Sequence, residues 1–494
     1  MNKILVANRG EIALRIMRSA REMGIKTVAV FSEADRKSLH VRYADEAVCI
    51  GEAASSASYL VMDKIIAAAK DTGADAIHPG YGFLSENAAF ARKVVQSGIT
   101  FIGPSAESME VMGSKLGAKA AAKKFNVPMV PGTDQAIDRI EDAKAIADSI
   151  GYPVLIKASA GGGGKGMRLV ENGEQFAEEA MRAMSEAKSA FGDGSVFIEK
   201  YIGSPRHVEI QVLGDTHGNM VYLFERECSV QRRHQKVVEE APSAILTPEV
   251  RREMGECAVR VARAAGYYNA GTVEFLVDEH LNFYFLEMNT RLQVEHPVSE
   301  MITGVDLVKE QIRVARGERL CFTQDDLSIY GHAIEVRVYA EDPSTNFLPD
   351  IGNLKIYKIP QGPGVRVDDG FEEGMDIPIY YDPMIAKLIV HGKDRAEAIE
   401  RMKRAIQEYQ IAGVATTLPF CLFVMNHEAF VSGRFDTHFV GKYFTPDKLF
   451  AEDADEARVA GMLVAKLLGN QPQAEQHKNA HGGASSAWRT NRLA

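Results

Sequence analysis

Short apolar runs and amphipathic stretches alternate through the first hundred residues. Ile4-Leu5-Val6-Ala7 is a continuous apolar run of the kind shown by strands covered on both faces, and Asn8-Arg9-Gly10-Glu11 follows as a turn. Beyond it Ile12, Ile16, Met17, Ala20 and Met23 recur at helical spacing, and Gly24 is placed to end that helix. Residues 27–31, 76–77 and 100–102 read as further buried strands. Strand and helix in alternation predict a parallel sheet with flanking helices, a Rossmann-like α/β first domain over residues 1–112.

The pattern then changes. Residues 154–157, 167–170, 196–199 and 207–212 read as longer, hairpin-like strands, with helical periodicity at 174–189 and 248–266. This is α+β grammar and defines a second domain over 113–330, with a lid at about 130–203. A third, β-rich region over 331–446 opens with Ala333-Ile334-Glu335-Val336-Arg337-Val338 and carries a helix near 394–409. Residues 447–494 form a tail, polar and unpatterned over 470–494, where Trp488 is the one feature suited to docking.

Composition narrows the field. The chain has 494 residues, 46% of them apolar, and 57 Lys+Arg against 67 Asp+Glu give a net charge of −10. About 150 residues per domain predicts three domains, and the acidic balance argues against general nucleic-acid binding. Five scattered cysteines with no C-x-x-C pair predict reduced thiols. No apolar run approaches the roughly 20 residues of a membrane span, and no secretory leader is seen, so a cytoplasmic protein is expected.

Two segments carry chemistry. Ala160-Gly161-Gly162-Gly163-Gly164-Lys165-Gly166 formally contains G-x-G-x-x-G, but residues 167–170 continue as a strand rather than a helix. Nor is it a Walker A loop, because Gly166 follows Lys165 where Ser or Thr belongs. A strand–glycine turn–strand flap remains, able to lay backbone N–H groups over phosphates, with Lys157 just before it to pair with phosphate oxygens. In the second segment, residues 285–297, odd positions Glu287, Asn289, Arg291, Gln293 and Glu295 are polar while Leu286, Met288, Leu292 and Val294 are apolar. Period two places the polar set on one strand face and the apolar set in the core, with Pro297 ending the strand. A hairpin turn near Asp278 would set Glu274 beside Glu287. With Asn289 these are hard oxygen ligands suited to Mg²⁺ beside a nucleotide.

With these clusters in place the chain resembles the biotin carboxylase subunits of biotin-dependent carboxylases, in the ATP-grasp superfamily. The resemblance covers roughly residues 1–446. It rests on residues 3–13, on His78-Pro79-Gly80-Tyr81-Gly82-Phe83-Leu84-Ser85-Glu86-Asn87, on the glycine loop and on Pro205-Arg206-His207-Val208-Glu209. It also rests on Gln231-Arg232-Arg233-His234-Gln235-Lys236 and on residues 287–296.

The resemblance implies ATP-dependent carboxylation of biotin with bicarbonate, through carboxyphosphate. It implies Lys115, Lys157, Gly163, Gly164, Glu199, Lys200, Tyr201, Ile202, His207, Gln231, His234, Glu274 and Glu287 around ATP. Glu274, Glu287 and Asn289 would hold Mg²⁺ or Mn²⁺. Lys236, Arg291, Gln293 and Val294 would hold bicarbonate, Glu295 would be the general base, and Arg337 and Tyr81 would meet biotin. No Ala/Val-Met-Lys-Met attachment signal occurs, so biotin is expected on a separate carrier protein. The further partner implied is a carboxyltransferase subunit, and the usual assembly is a homodimer. Residues 413–420 lean toward the acyl-CoA and pyruvate carboxylase branches. An acetyl-CoA or propionyl-CoA carboxylase, in the former case serving fatty acid biosynthesis, is the first expectation, and a two-subunit pyruvate carboxylase the second. Carbamoyl-phosphate synthetase-like and glycinamide-ribonucleotide-synthetase-like ligases are not expected to combine Arg291, Glu295 and Arg337 with the residues 78–87 motif. A scaffold without catalysis is expected to lack a metal ligand or the base.

Overall fold

A computed structural model describes residues 1–113, 123, 125, 127–133, 135–159, 167–233, 235–450, 462 and 466. The chain divides into two compact units, Met1–Pro446 and Asp447–Ala494. In the second unit, Met462 and Lys466 are helical. Lys115, the glycine loop with Gly163 and Gly164, His234 and the 470–494 tail with Trp488 lie outside the described residues.

The first sheet has strands β1 (Lys3–Val6), β2 (Lys26–Ser32), β3 (Glu46–Gly51), β4 (Ala76–His78) and β5 (Thr100–Phe101), all parallel in the order β3-β2-β1-β4-β5. Ile4, Leu5 and Val6 are fully buried between layers, as their unbroken apolar run predicts. Only β3, whose Glu46 and Ala47 are exposed, escaped the periodicity. Asn8 ties the opening turn to the 78–87 motif, its amide donating to the carbonyls of Pro79 and Tyr81 at 2.7 Å each. Gly80 between them has φ +64°, and a Cβ there would stand 2.9 Å from Asn8 Nδ2, so this crossing admits only glycine.

A small antiparallel layer follows: β6 (Val154–Ala158), β7 (Met167–Val170) and β8 (Val196–Lys200), in the order β7-β6-β8, covered by the helices Ile140–Ile150 and Phe176–Phe191. Lys157 pairs with Met167 in this hairpin, which fits the expected strand–glycine turn–strand.

The largest element is an antiparallel sheet of eight strands. β9 (Arg206–Gly214), β10 (Met220–Arg232), β11 (Gln235–Ala241), β12 (Asn269–Val277) and β13 (Phe283–Asn289) come from the middle of the chain. β14 (His332–Tyr339), β18 (Val365–Asp369) and β19 (Met384–Gly392) complete it, while β15 (Glu341–Asp342) pairs with β16 (Leu348–Pro349) and β17 (Ile356–Lys358) with β20 (Gln410–Ala412) outside it. The order is β13-β12-β9-β10-β11-β14-β19-β18, so the sheet runs unbroken across residue 330 through the β11–β14 pair. One face of its second half carries Ile334, Val336, Val338, Leu388 and Val390 under the helices Arg395–Glu408 and Leu418–Asn426. Each such fully buried aliphatic contributes roughly 1.5–3 kcal/mol. The other face presents Glu239, Glu335, Arg337, Lys387 and Asp368 in register, all buried. Among the described residues no helix is long and apolar enough to cross a membrane.

Candidate active site

The hairpin expected around Asp278 forms. The Asp278 side chain accepts from the N–H groups of His280 and Asn282 at 2.9 Å each, closing the turn between β12 and β13. Glu274 stands directly opposite Glu287, and Thr272 opposite Asn289. The strict alternation predicted over 285–297 does not hold, however. Glu274 pairs with Glu287 but Phe275 with Phe285, so Leu286 is an extra residue, a β-bulge. The bulge changes parity: Phe283 and Phe285 are core residues, as is Met288, while Leu286 is 38% exposed and lines the cavity instead of the core.

The strand also ends earlier than expected, at Asn289. Residues 290–295 form a turn, and the helix His296–Thr303 starts there with Glu295 at its N-cap and Pro297 in its first turn. Proline suits that position because its missing N–H would be unpaired there anyway. Pro297 therefore opens a helix rather than closing a strand. Glu86, from the 78–87 motif, accepts from Thr290 N and Arg291 Nε, both at 2.9 Å, and bends the chain away from the sheet. Arg291 and Glu295 thus reach the same region from a turn, not along one extended face.

Buried charges of alternating sign join at the turn. Arg226 is fully buried and donates to Glu209 at 2.5 Å, Gln211 at 2.7 Å, Ser299 and Thr272 at 3.0 Å, and Gln293 at 2.7 Å. Glu209 accepts in turn from Lys236 at 2.5 Å, and Lys236 also donates to Glu274 at 2.9 Å and Glu295 at 2.7 Å. Glu295 then meets Arg337 at 3.0 Å, and Arg337 donates to Glu239 at 2.6 Å.

Burial pushes the Glu295 carboxyl up, but Lys236 and Arg337 outweigh it and hold the group well below the carboxylate range. Burial likewise lowers Lys236, yet Glu209, Glu274 and Glu295 keep it well above the lysine range. For Glu209 burial dominates and the carboxyl is raised. Glu239 is raised by burial to about 7.

Glu274 accepts at Oε1 from Asn289 at 2.9 Å and Gln293 at 2.8 Å, and its Oε2 lies 2.9 Å from His207 Nε2. Glu287 has no ion-pair or hydrogen-bond partner among the described residues. Burial and the facing Glu274 push its carboxyl up. Two facing carboxylates, one of them unpartnered, with an adjacent amide oxygen, fit a hard divalent cation.

Except for Glu209, Arg226 and Glu239, which lie behind its wall, these groups line one cavity of about 1040 Å³. Lys157, Glu199, His207, Gln231, Lys236, Glu274, Glu287, Asn289, Arg291, Gln293, Val294, Glu295 and Arg337 all line it. Lys157 Nζ rests on Glu199 at 2.5 Å. Lys200, Tyr201, Ile202 and Tyr81, expected around ATP or biotin, are not among its lining residues. Lys200 Nζ is instead spent on the carbonyls of Gly151 and Tyr152, 2.9 Å each, and the Tyr81 ring faces Lys387 Nζ at 5.9 Å.

The sequence reading did not assign Glu209, Arg226, Glu239 or Lys387 to the site. Glu209 did carry a signal: His207, Glu209 and Gln211 alternate with Val208, Ile210 and Val212, the same period-two signature as at 287–295.

A small antiparallel layer of β6, β7 and β8 beside a sheet that carries facing carboxylates fits the arrangement of an ATP-grasp ligase. Three family models cover the chain: "Biotin carboxylase, N-terminal domain" at residues 1–109, "Carbamoyl-phosphate synthase L chain, ATP binding domain" at 114–323 and "Biotin carboxylase C-terminal domain" at 335–442. A pyruvate carboxylase subunit of Methanothermobacter thermautotrophicus is 57% identical over 442 residues, covering 90% of each chain. Biotin carboxylase 1 of Bacillus subtilis is 54% identical over 444 residues, 90% of this chain and 99% of its own. Among solved structures, the biotin carboxylase domain dimer of Hydrogenobacter thermophilus 2-oxoglutarate carboxylase, in complex with MgADP, ADP and bicarbonate, is 49% identical with a TM-score of 0.83, covering 91% of this chain and 98% of its own. The chain belongs to the biotin carboxylase family of ATP-dependent ligases.

Proposed function

We propose that the cavity binds ATP beside Lys157, Glu199, His207 and Gln231, and activates bicarbonate at its other end among Lys236, Arg291 and the Val294 N–H. The carrying observation is the buried series Lys236–Glu295–Arg337, which sets a carboxylate between two cations at the floor of a nucleotide-sized cavity. Glu274, Glu287 and Asn289 would hold the divalent cation, which when bound offsets phosphate charge. The Hydrogenobacter relative, solved with MgADP and bicarbonate, supports this ligand set.

The side chains account for the reaction. Bicarbonate is a weak nucleophile, so it is fixed among cations and loses its proton to Glu295. At rest Glu295 is a poor base because Lys236 and Arg337 both neutralise it. An incoming anion competes for those cations, and Glu295 gains basicity as they turn. The oxygen so activated attacks the γ-phosphorus of ATP, giving carboxyphosphate and ADP. The carboxyl carbon then passes to N1′ of biotin, whose proton is taken by the phosphate that carboxyphosphate releases, and Arg337 stabilises negative charge on the ureido oxygen. Gln293 contributes through position, since its Oε1 is held by Arg226 and its Nε2 by Glu274.

Biotin is presented by a carrier protein, and the carboxyl acceptor is an acyl-CoA such as acetyl-CoA or propionyl-CoA. Pyruvate is the second reading, favoured by the 57% identity to a pyruvate carboxylase subunit. The assembly is a homodimer, the state named for the Hydrogenobacter domain. ADP release that needs bicarbonate and rises with free biotin tests the reaction. Release independent of both refutes it. Transfer from the biotinylated protein that co-purifies, to acyl-CoA or to pyruvate, decides the acceptor.

A further inference from the structure

We propose that Lys387 is a positioning residue for this reaction, holding the Val294 carbonyl so that the peptide units on either side of Val294, one carrying the bicarbonate-binding Val294 N–H and the other leading to the base Glu295, face the cavity. The inference rests on the bicarbonate reading above. Lys387 lies in β19 with no exposed surface and does not line the cavity. Its Nζ donates to the Val294 carbonyl at 2.9 Å and lies 3.3 Å from Glu11 Oε2 and 3.9 Å from Asp368 Oδ2.

Neither carboxylate explains the hydrogen bond. Asp368 is already held by Arg366 through both oxygens, at 2.9 and 2.7 Å. Glu11 pairs by charge alone, and neither of its carboxylate oxygens has a hydrogen-bond partner. An ammonium removed from water is costly, and a hydrocarbon side chain would fill this space without that cost. What the charge secures is the Val294 carbonyl.

That carbonyl belongs to the same planar peptide as the Glu295 N–H, so fixing it sets the plane from which the Glu295 side chain departs. The turn 290–295 has no ladder of its own, and among the described residues no backbone N–H is bonded to Val294 O. Glu86 ties the start of the turn, and Lys387 ties its end. Glu11 gives a role to the start of the first helix, Gly10–Glu22, which otherwise stands outside the site: with Asp368 it faces the lysine that carries the tie, although burial raises the Glu11 carboxyl to about 7.

The test is the charge-balanced variant Lys387→Met/Glu11→Gln. The expected result is a bicarbonate KM raised tenfold or more, an ATP KM within twofold, and faster hydrogen exchange confined to residues 290–296. Lys387→Arg, which keeps a cationic donor, should restore the bicarbonate KM to within about threefold. If the double variant does not fold, Lys387→Met alone, which removes the donor and leaves Glu11 in place, carries the same expectation. An unchanged bicarbonate KM, a parallel rise in both KM values, or unaltered exchange at 290–296 overturns the proposal. Wild-type enzyme without bicarbonate-dependent ADP release would instead refute the functional reading itself, so the two failures are distinct.

Discussion

Replacing Glu295 by Gln separates the chemistry of this carboxylate from its place in the structure. The side chain is 2% exposed, with Lys236 at 2.7 Å on one oxygen and Arg337 at 3.0 Å on the other. Glutamine keeps the shape but turns one N–H₂ toward a cation, losing one charge-assisted hydrogen bond and weakening the other. Removing one member of a buried pair costs about 3–5 kcal/mol when its partner is orphaned. Here neither cation is orphaned, because Lys236 keeps Glu209 and Glu274 and Arg337 keeps Glu239. The expected loss of stability is therefore only ~1–2 kcal/mol, read from urea unfolding. Turnover should fall much further, by about 10²-fold or more, because a positioned base contributes on that scale. ATP KM should stay within threefold, since Glu295 is not among the groups proposed to hold the nucleotide. The assay is bicarbonate-dependent ADP release with free biotin. Turnover within threefold of wild type, or an ATP KM that shifts along with turnover, would refute the reasoning.

Three further expectations follow from the same geometry. Arg337→Ala should leave bicarbonate-dependent ADP release running while carboxybiotin formation drops tenfold or more, and equal loss of both would contradict its role toward biotin. Glu287→Gln removes the like charge facing Glu274, so the metal-free protein should unfold at higher urea while the Mg²⁺ needed for half-maximal ADP release rises at least tenfold; a lower urea midpoint or an unchanged Mg²⁺ requirement would argue against a shared cation. Burial holds the His40 imidazole down at about 4, against about 6.5 in an unfolded chain. The unfolded chain therefore takes up this proton first, and the contribution is complete above pH 6.5 and lost as pH falls toward 4. Urea titrations across that window should show a shallower slope for His40→Gln, and an identical slope would exclude His40 as its source.

Local patterns exposed the fold and half of the site. The unbroken apolar runs of β1 and β4 and the helical spacing of Ile12, Ile16 and Ala20 announce the parallel layer. The turn residues around Asp278 announce the hairpin that sets Glu274 against Glu287. What periodicity missed is decided by distant residues. The bulge at Leu286 is a matter of register with β12, and the end of β13 is enforced by Glu86, 204 positions away from the Thr290 amide it holds. Arg226, within Glu225-Arg226-Glu227, reads as a solvated charge run, yet its five hydrogen bonds are made by residues brought in from β9, β12, the turn and the following helix. Lys387 did leave a trace, as a lone charge inside the otherwise apolar run 384–390. A single lysine in a strand buried on both faces needs acceptors from elsewhere, and only the fold names them.

The balance of charge at the floor of the cavity bears on how an anion enters it. Glu209, Glu239, Glu274, Glu287 and Glu295 crowd around Arg226, Lys236 and Arg337, while Lys157, Arg233 and Arg291 line the cavity further out. The carboxyls divide accordingly: burial raises Glu209, Glu239 and Glu287, while Glu274 and Glu295, which share Lys236, are held low. At Glu274 and Glu287 two facing carboxylates oppose a triphosphate locally, so on the proposed reading a divalent cation there would assist binding as well as chemistry. With a cation held by Glu274 and Glu287, Lys236 would lose one of its three carboxylate partners and could turn toward an anion. Glu295 would then be left with Arg337 and would gain basicity. On the proposed reading bicarbonate activation would thus be tied to the metal-bound nucleotide through one shared lysine.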